Sequence, residues 1–146
     1  MDKIENLELP LFPISTAAKM LNISVHTLRM YEREGLILPF KKESNHRLYS
    51  HSDIERLNCI RSSINEKKIG IQGIKTIYSL IPCWQIVNCS QTDRDNCDAY
   101  SSNSKPCWTY DHKNNICADL ECRVCNVYKN YAECKSLKEK LKTVIK

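Results

Sequence analysis

Glycine and proline are scarce in this chain of 146 residues, which has three glycines and five prolines. Because these residues most often interrupt helices and strands, their scarcity allows most of the chain to be regular structure. Long apolar runs are missing too, since none approaches the roughly 20 residues that a membrane span needs. The first residues, MDKIENLELPLF, lack the apolar core and small-residue cleavage site of a signal peptide. We therefore expect a cytoplasmic prokaryotic protein with no membrane partner.

Cysteine, in contrast, is abundant: the chain has nine, and eight of them fall between Cys83 and Cys134. Thiols in the cytosol are kept reduced, so a dense cysteine pattern there indicates metal or redox chemistry more often than structural disulfides. The cysteines divide the chain in composition near Pro82.

Charge divides the chain in the same way. Residues 1–82 hold 12 Lys and Arg against 9 Asp and Glu, while residues 83–134 hold 5 against 7. Residues 135–146 are basic again, with 5 Lys and Arg against 1 Asp or Glu. A basic first part is compatible with a nucleic-acid partner, although an excess of this size is a weak signal by itself.

The stretch ISTAAKMLNISVHTLRMYERE predicts two short helices. Ser15 is expected to cap the first, Ser24 caps the second, and Gly35 ends it. Two helices joined by a tight turn at Asn22 are typical of a helix-turn-helix unit. The start of the second helix presents polar side chains that suit a major groove, namely His26, Thr27 and Arg29. By spacing alone, a helical hairpin with a solvated charged face is the alternative.

The stretch GLILPFKKESNHRLYS predicts a hairpin with arms at 37–40 and 47–49. Its arms would carry side chains to a DNA backbone, namely Lys41, Lys42, Arg47 and Tyr49. Ser50 is expected to cap a third helix that has Asp53 in its first turn. A fourth helix follows in IQGIKTIYSLI, with the inward positions expected at Ile71, Ile74, Ile77 and Leu80.

These stretches together resemble the MerR family of bacterial winged-helix regulators. The similarity covers roughly residues 12–81, through TLRMYEREGL, RLYSHSDIERL and GIQGIKTIY, and is greatest to the HspR-like branch. It implies a DNA-binding transcriptional regulator and no enzyme, with the major groove met by Ser24, His26, Thr27 and Arg29, and further contacts from Tyr31, Arg47 and Tyr49. Two positions depart from the family pattern: Met30 replaces a tyrosine, and the hairpin tip at 44–46 has no glycine.

The resemblance also implies a homodimer that binds and distorts double-stranded promoter DNA, and so acts on RNA polymerase indirectly. Members usually place a long coiled-coil helix after the fourth helix, whereas Pro82 interrupts this chain there. The remaining candidate is residues 127–146, which we expect to be a C-terminal helix that pairs two subunits. The alternative is an amphipathic tail that packs on its own domain.

Residues 83–126 are expected to form a small irregular module stabilised by metal. Two Cys-Trp pairs each follow a proline, and the pattern resembles a cysteine-rich CW-type module found on bacterial signalling proteins. So short a segment with few aliphatic residues seldom folds unaided. The candidate metal ligands are Cys83, Cys89, Cys97, Cys107, Cys117, Cys122 and Cys125.

Three chemistries compete for these thiols. An iron–sulfur cluster is favoured, because Cys117-x4-Cys122-x2-Cys125 has the gap order of plant-type cluster ligands. Structural zinc is the alternative, although zinc sites usually have two close cysteine pairs and only Cys122-x2-Cys125 is such a pair. Reversible disulfides would make a thiol sensor instead. The sequence therefore predicts a mainly α regulator that couples a cysteine-bound centre, and so a redox or metal signal, to promoter binding.

Overall fold

The structure is a computed structural model of the chain, and it describes residues 7–110, 117, 121–131, 138 and 142. Two compact units are present: unit 1 is Met1–Arg61 and unit 2 is Ser62–Lys146. None of the described helices is long and apolar enough to cross a membrane. The described part is mainly α-helical, which confirms the expected fold class.

Unit 1 contains a small sheet and the first helices. In chain order these are β1 Phe12–Pro13, α1 Ile14–Leu21, α2 Val25–Arg33, β2 Phe40–Lys41, β3 Arg47–Tyr49 and α3 His51–Asn65, which runs on into unit 2. The sheet is antiparallel with the order β1-β3-β2, so β3 pairs Phe12 with Tyr49 on one side and Lys41 with Arg47 on the other. The sequence analysis missed β1, which is only two residues long.

The turn between α1 and α2 is made by a left-handed residue. Asn22 has φ 56°, and the backbone N–H groups of Asn22 and Ile23 return to the carbonyls of Lys19 and Ala18. Asparagine adopts this conformation more readily than most residues. The helix-turn-helix unit is confirmed, but α1 begins with Pro13 as its N-cap residue, so the expected cap at Ser15 is wrong.

The hairpin formed by β2 and β3 closes without glycine. Asn45 has φ 64°, its N–H donates to the Lys42 carbonyl at 2.9 Å, and the Lys42 N–H donates to His46 at 2.9 Å. Asn45 therefore takes the left-handed position that glycine would normally fill.

A buried capping box begins α3. The Asp53 N–H donates to Ser50 Oγ at 3.1 Å, and the Ser50 N–H donates to Asp53 Oδ2 at 2.9 Å. Both residues are buried, so the two hydrogen bonds satisfy polar groups that water cannot reach. On the same helix Cys59 is buried and disulfide-bonded, against the expectation of reduced thiols throughout.

Unit 2 continues with α4 Ile71–Ser79, α5 Cys83–Ile86, α6 Gln91–Asp95 and α7 Asp98–Ser101, then with 3-10 turns at Cys107–Thr109 and Cys122–Val124 and a π-helical turn at Val127–Tyr131. The expected inward stripe of α4 is wrong in part. Ile74, Tyr78 and Ile81 are buried, whereas Ile77 and Leu80 are 39% and 61% exposed. Of the expected C-terminal helix at 127–146, all but the first turn and two single residues lies outside the described residues.

Ser50→Ala should lower the free energy of unfolding by about 1–2 kcal/mol, because it removes a buried cap. The matched control is Ser15→Ala, at an exposed serine that caps nothing, with an expected change below about 0.5 kcal/mol. Urea denaturation followed by circular dichroism measures both. Equal losses in the two variants would contradict the assignment of the cap.

Candidate functional site

The first candidate surface is the N-terminal half of α2. Ser24 Oγ accepts a hydrogen bond from the Thr27 N–H at 3.0 Å and lies 2.9 Å from Thr27 Oγ1. His26 and Arg29 are exposed beside this cap, while Leu28 is fully buried beneath them. The polar start of α2 is therefore presented to solvent, as the sequence predicted.

The hairpin of β2 and β3, called the wing below, adds cations. Lys41 and Lys42 are exposed. Arg47 Nε donates to Glu32 Oε1 of α2, and this hydrogen bond raises the pKa of Arg47. The ion pair joins the wing to α2 across fifteen positions of sequence. Glu32 is the functional residue that the sequence analysis missed, because no local pattern relates two residues on different elements.

Two of the expected DNA contacts lie in the core of unit 1. Tyr31 is 4% exposed and Tyr49 is 0% exposed. The Tyr49 hydroxyl is buried and has no hydrogen-bond partner among the described residues, and burial raises its pKa well above the usual value. The positive charge of Arg29 lowers the pKa of the same hydroxyl, so Arg29 lies near the wing strand. That either tyrosine reaches a duplex stays a prediction.

The second candidate site is a cavity in unit 2. Its volume is about 40 Å³, room for more than one water molecule. All seven cysteines predicted as ligands line it, and none of them is in a disulfide. Much of the remaining wall is apolar or aromatic, including Trp84, Val87, Trp108 and Val127. The fold thus gathers thiols that are up to 42 positions apart around one space.

The thiols in this cavity influence one another. Those of Cys83 and Cys107 share a hydrogen bond, which lowers the pKa of Cys83 and raises that of Cys107. Burial raises the pKa of Cys117 to about 12 and also raises that of Cys122. The apolar walls therefore disfavour the thiolates of Cys117 and Cys122, and a bound cation would reverse that preference.

The cavity does not have the geometry of a single-ion site. Sulfurs bound to one zinc ion lie about 3.8 Å apart, given Zn–S bonds of about 2.3 Å in a tetrahedron. Within the part of the chain that the structure describes, no three cysteine, histidine or acidic side chains converge closely enough to hold one metal ion. The thiols surround a space instead of meeting at a point.

These observations define unit 1 as part of a winged helix-turn-helix domain. The family model "MerR HTH family regulatory protein" matches residues 12–80. The chain therefore carries a MerR-family helix-turn-helix domain at its N-terminal end.

Known relatives match over stretches of similar length. A protein assigned as heat shock protein HspR in Streptomyces coelicolor is 37% identical over 71 residues, which are 49% of this chain and 47% of the relative. The transcriptional regulator GlnR of Bacillus cereus is 31% identical over 68 residues, or 47% of this chain and 52% of the relative. A ZntR homolog of Haemophilus influenzae is 38% identical over 68 residues, which are 46% of this chain and 50% of the relative. This chain thus spans about half the length of each curated relative.

Tyr49→Phe should leave the free energy of unfolding unchanged within about 0.5 kcal/mol, or raise it, because the hydroxyl that it removes has no described partner in the core. Leu28→Ala, at an equally buried position, should cost about 2–5 kcal/mol and shows that the assay detects core lesions. Urea denaturation of the two variants makes the comparison. A large loss in Tyr49→Phe would mean that the hydroxyl is bonded in the native protein.

Proposed function

We propose that this protein is a DNA-binding transcriptional regulator whose cysteine-lined cavity holds an iron–sulfur cluster and so reports a redox or metal signal to promoter DNA. The observation that carries the proposal is the presence, in one chain, of a MerR-type domain and seven thiols around one cavity. Two of the relatives named above, GlnR and the ZntR homolog, are named as transcriptional regulators, which supports the first half of the proposal.

DNA binding rests on α2 and the wing. Exposed side chains on α2 include His26 and Arg29, and those at the end of β2 include Lys41 and Lys42. Polar and cationic groups are therefore available both to base edges and to phosphates. The Glu32–Arg47 ion pair holds the wing strand against α2, which fixes the spacing of these groups. The protein binds as a homodimer, since regulators of this kind match twofold DNA sites and act on RNA polymerase through the promoter they distort.

The cavity supports a cluster better than zinc. A four-iron cluster takes one cysteine at each iron and a two-iron cluster takes two at each iron, so in neither type do four ligands converge on one metal ion. The described cysteines line one space and no three of them converge on a point, which is compatible with a cluster, and the apolar walls would limit the access of water to it. When bound, the cluster would supply an electron-accepting centre and positive charge for the thiolates.

Two contacts connect α4, the last helix within the MerR match, to the cysteine-rich segment, and the second of them reaches the cavity wall. Gln72 Nε2 donates to the Ser104 carbonyl at 2.8 Å. Tyr78 packs against Trp108, with ring centroids 5.6 Å apart, and Trp108 lines the cavity. A change at the cavity therefore reaches α4 directly, and a coupling of about 1–3 kcal/mol is enough to change a regulatory output.

A thiol–disulfide sensor is the second candidate, because the Cys83 and Cys107 thiols are already in contact. Oxidation by a hydroperoxide would join the two sulfurs, release water and an alcohol, and consume no other group.

Arg29→Ala should weaken binding by about 1–3 kcal/mol and lower the salt dependence by about one unit of slope, because one cation leaves the interface. Binding is measured by fluorescence anisotropy over a salt series, on a duplex selected from a random pool by the full-length protein. Arg33→Ala is the control, since Arg33 is exposed in the last turn of α2. An unchanged slope in Arg29→Ala would contradict the proposed docking of α2.

Protein purified without air should show broad visible absorption and contain iron and acid-labile sulfide in equal amounts. Metal analysis, a sulfide assay and a visible spectrum measure this. Zinc without sulfide would indicate a structural zinc site instead. A metal-free protein with a Cys83–Cys107 disulfide, identified by mass spectrometry, would indicate the thiol sensor.

A further inference from the structure

The cysteine-rich segment, residues 82–128, contains the same pattern twice. Residues 82–100 read Pro-Cys-Trp, then a cysteine, then seven residues, then Cys-x-x-Tyr. Residues 106–128 repeat every part of this, including the gap of seven residues between Cys117 and Cys125. The copies differ in the first gap, which is four residues longer in the second copy, and in Cys122, which lies inside the second gap of seven.

The two copies also have the same local structure at their starts. Each Pro-Cys-Trp opens a short helical turn with the proline as its N-cap residue. The Gln85 N–H donates to the Pro82 carbonyl at 3.0 Å, and the Thr109 N–H donates to the Pro106 carbonyl at 3.1 Å. Gln85 and Thr109 are equivalent positions, so the hydrogen bond is repeated together with the sequence.

The ends of the copies agree as well. Trp84 and Tyr100 pack edge to face, with ring centroids 5.3 Å apart at 88°. Trp108 and Tyr128 do the same at 5.1 Å and 86°. In each copy the tryptophan after the first cysteine therefore packs on the tyrosine three residues after the last cysteine, which is how a duplicated folding unit would appear.

The two copies meet through equivalent residues. The thiols of Cys83 and Cys107, the first cysteine of each copy, share a hydrogen bond. A contact between equivalent residues is what a local pseudo-twofold arrangement of the two copies would produce. All six repeated cysteines line the same cavity, which is therefore shared by both copies.

We propose that residues 82–128 are an internal duplication and that its two copies hold one iron–sulfur cluster between them through two equivalent pairs of cysteines, Cys83 with Cys107 and Cys97 with Cys125. This inference rests on the proposed function. Four thiolates complete a cluster of either common type, so two ligands from each copy suffice.

The other three cysteines are assigned by the same geometry. The Cys89 thiol donates to the Trp84 carbonyl at 3.8 Å, within its own copy, and Cys117 is its counterpart. Cys122 has no counterpart and so has no place in a site built from equivalent pairs. In contrast, Cys97 and Cys125 are at the same point of the repeat and both have extended backbone, Cys97 as the N-cap residue of α7 and Cys125 two residues before the turn at Val127–Tyr131.

The test uses two triple variants of the full-length chain, purified without air. Cys89→Ala/Cys117→Ala/Cys122→Ala keeps the four proposed ligands and should retain the iron, sulfide and visible spectrum of the wild type. Cys89→Ala/Cys97→Ala/Cys117→Ala keeps Cys122 instead of Cys97 and should lose the cluster. As a check on equivalence, Cys83→Ala and Cys107→Ala should lose iron to the same extent.

Retention of the cluster by the first variant supports the duplicated site. If the wild type carries a cluster and the first variant loses it, the duplicated site is overturned, but the proposed function still stands. Retention by the second variant overturns it too, because Cys122 would then replace Cys97. A wild type without iron and sulfide overturns the cluster itself. Helix content measured by circular dichroism shows whether a variant without a cluster is still folded. If the first variant keeps the cluster, as expected, this control is not needed for it.

Discussion

Burial of thiols inside an apolar space is the constraint on which unit 2 depends. The segment after Pro82 has few aliphatic residues, and its described helices are four or five residues long, too short to be stable alone. Two tryptophan–tyrosine pairs pack around the cavity, and all seven cysteines line it. Such a core is small for a folded domain, so a bound centre that joined the thiols would add stability where hydrophobic burial is limited.

Unit 1 depends on ordinary helix packing and well-made caps. Leu28, Leu36, Ile37 and Leu57 are fully buried, and the caps at Ser24 and Ser50 satisfy the first N–H groups of α2 and α3. A rigid scaffold of this kind can present His26 and Arg29 at a constant spacing. The division between the units falls inside α3, and α4, although it lies within the MerR match, clusters with the cysteines. Helix α4 is therefore placed to respond to the cavity.

Local features were the most predictable from sequence. The caps at Ser24 and Ser50, the turn at Asn22 and the order of helices and wing were all expected, because each depends on a few neighbouring residues. The inward face of α4 was not, since a short helix with many apolar positions has more than one possible stripe, and contacts such as Tyr78 with Trp108 decide which is buried. The two-residue strand β1 forms through its pairing with β3, which no local pattern encodes.

By itself, the sequence determined the class of the DNA-binding unit and the identity of the thiols available for a metal centre, because motif spacing and residue chemistry are properties of the linear chain. Only the tertiary structure decided that Glu32 pairs with Arg47, that Tyr49 is a core residue, and that the seven thiols surround one cavity without converging on a point. The physical reason is the same in each case: these properties are distances between residues far apart in the chain, and packing sets such distances.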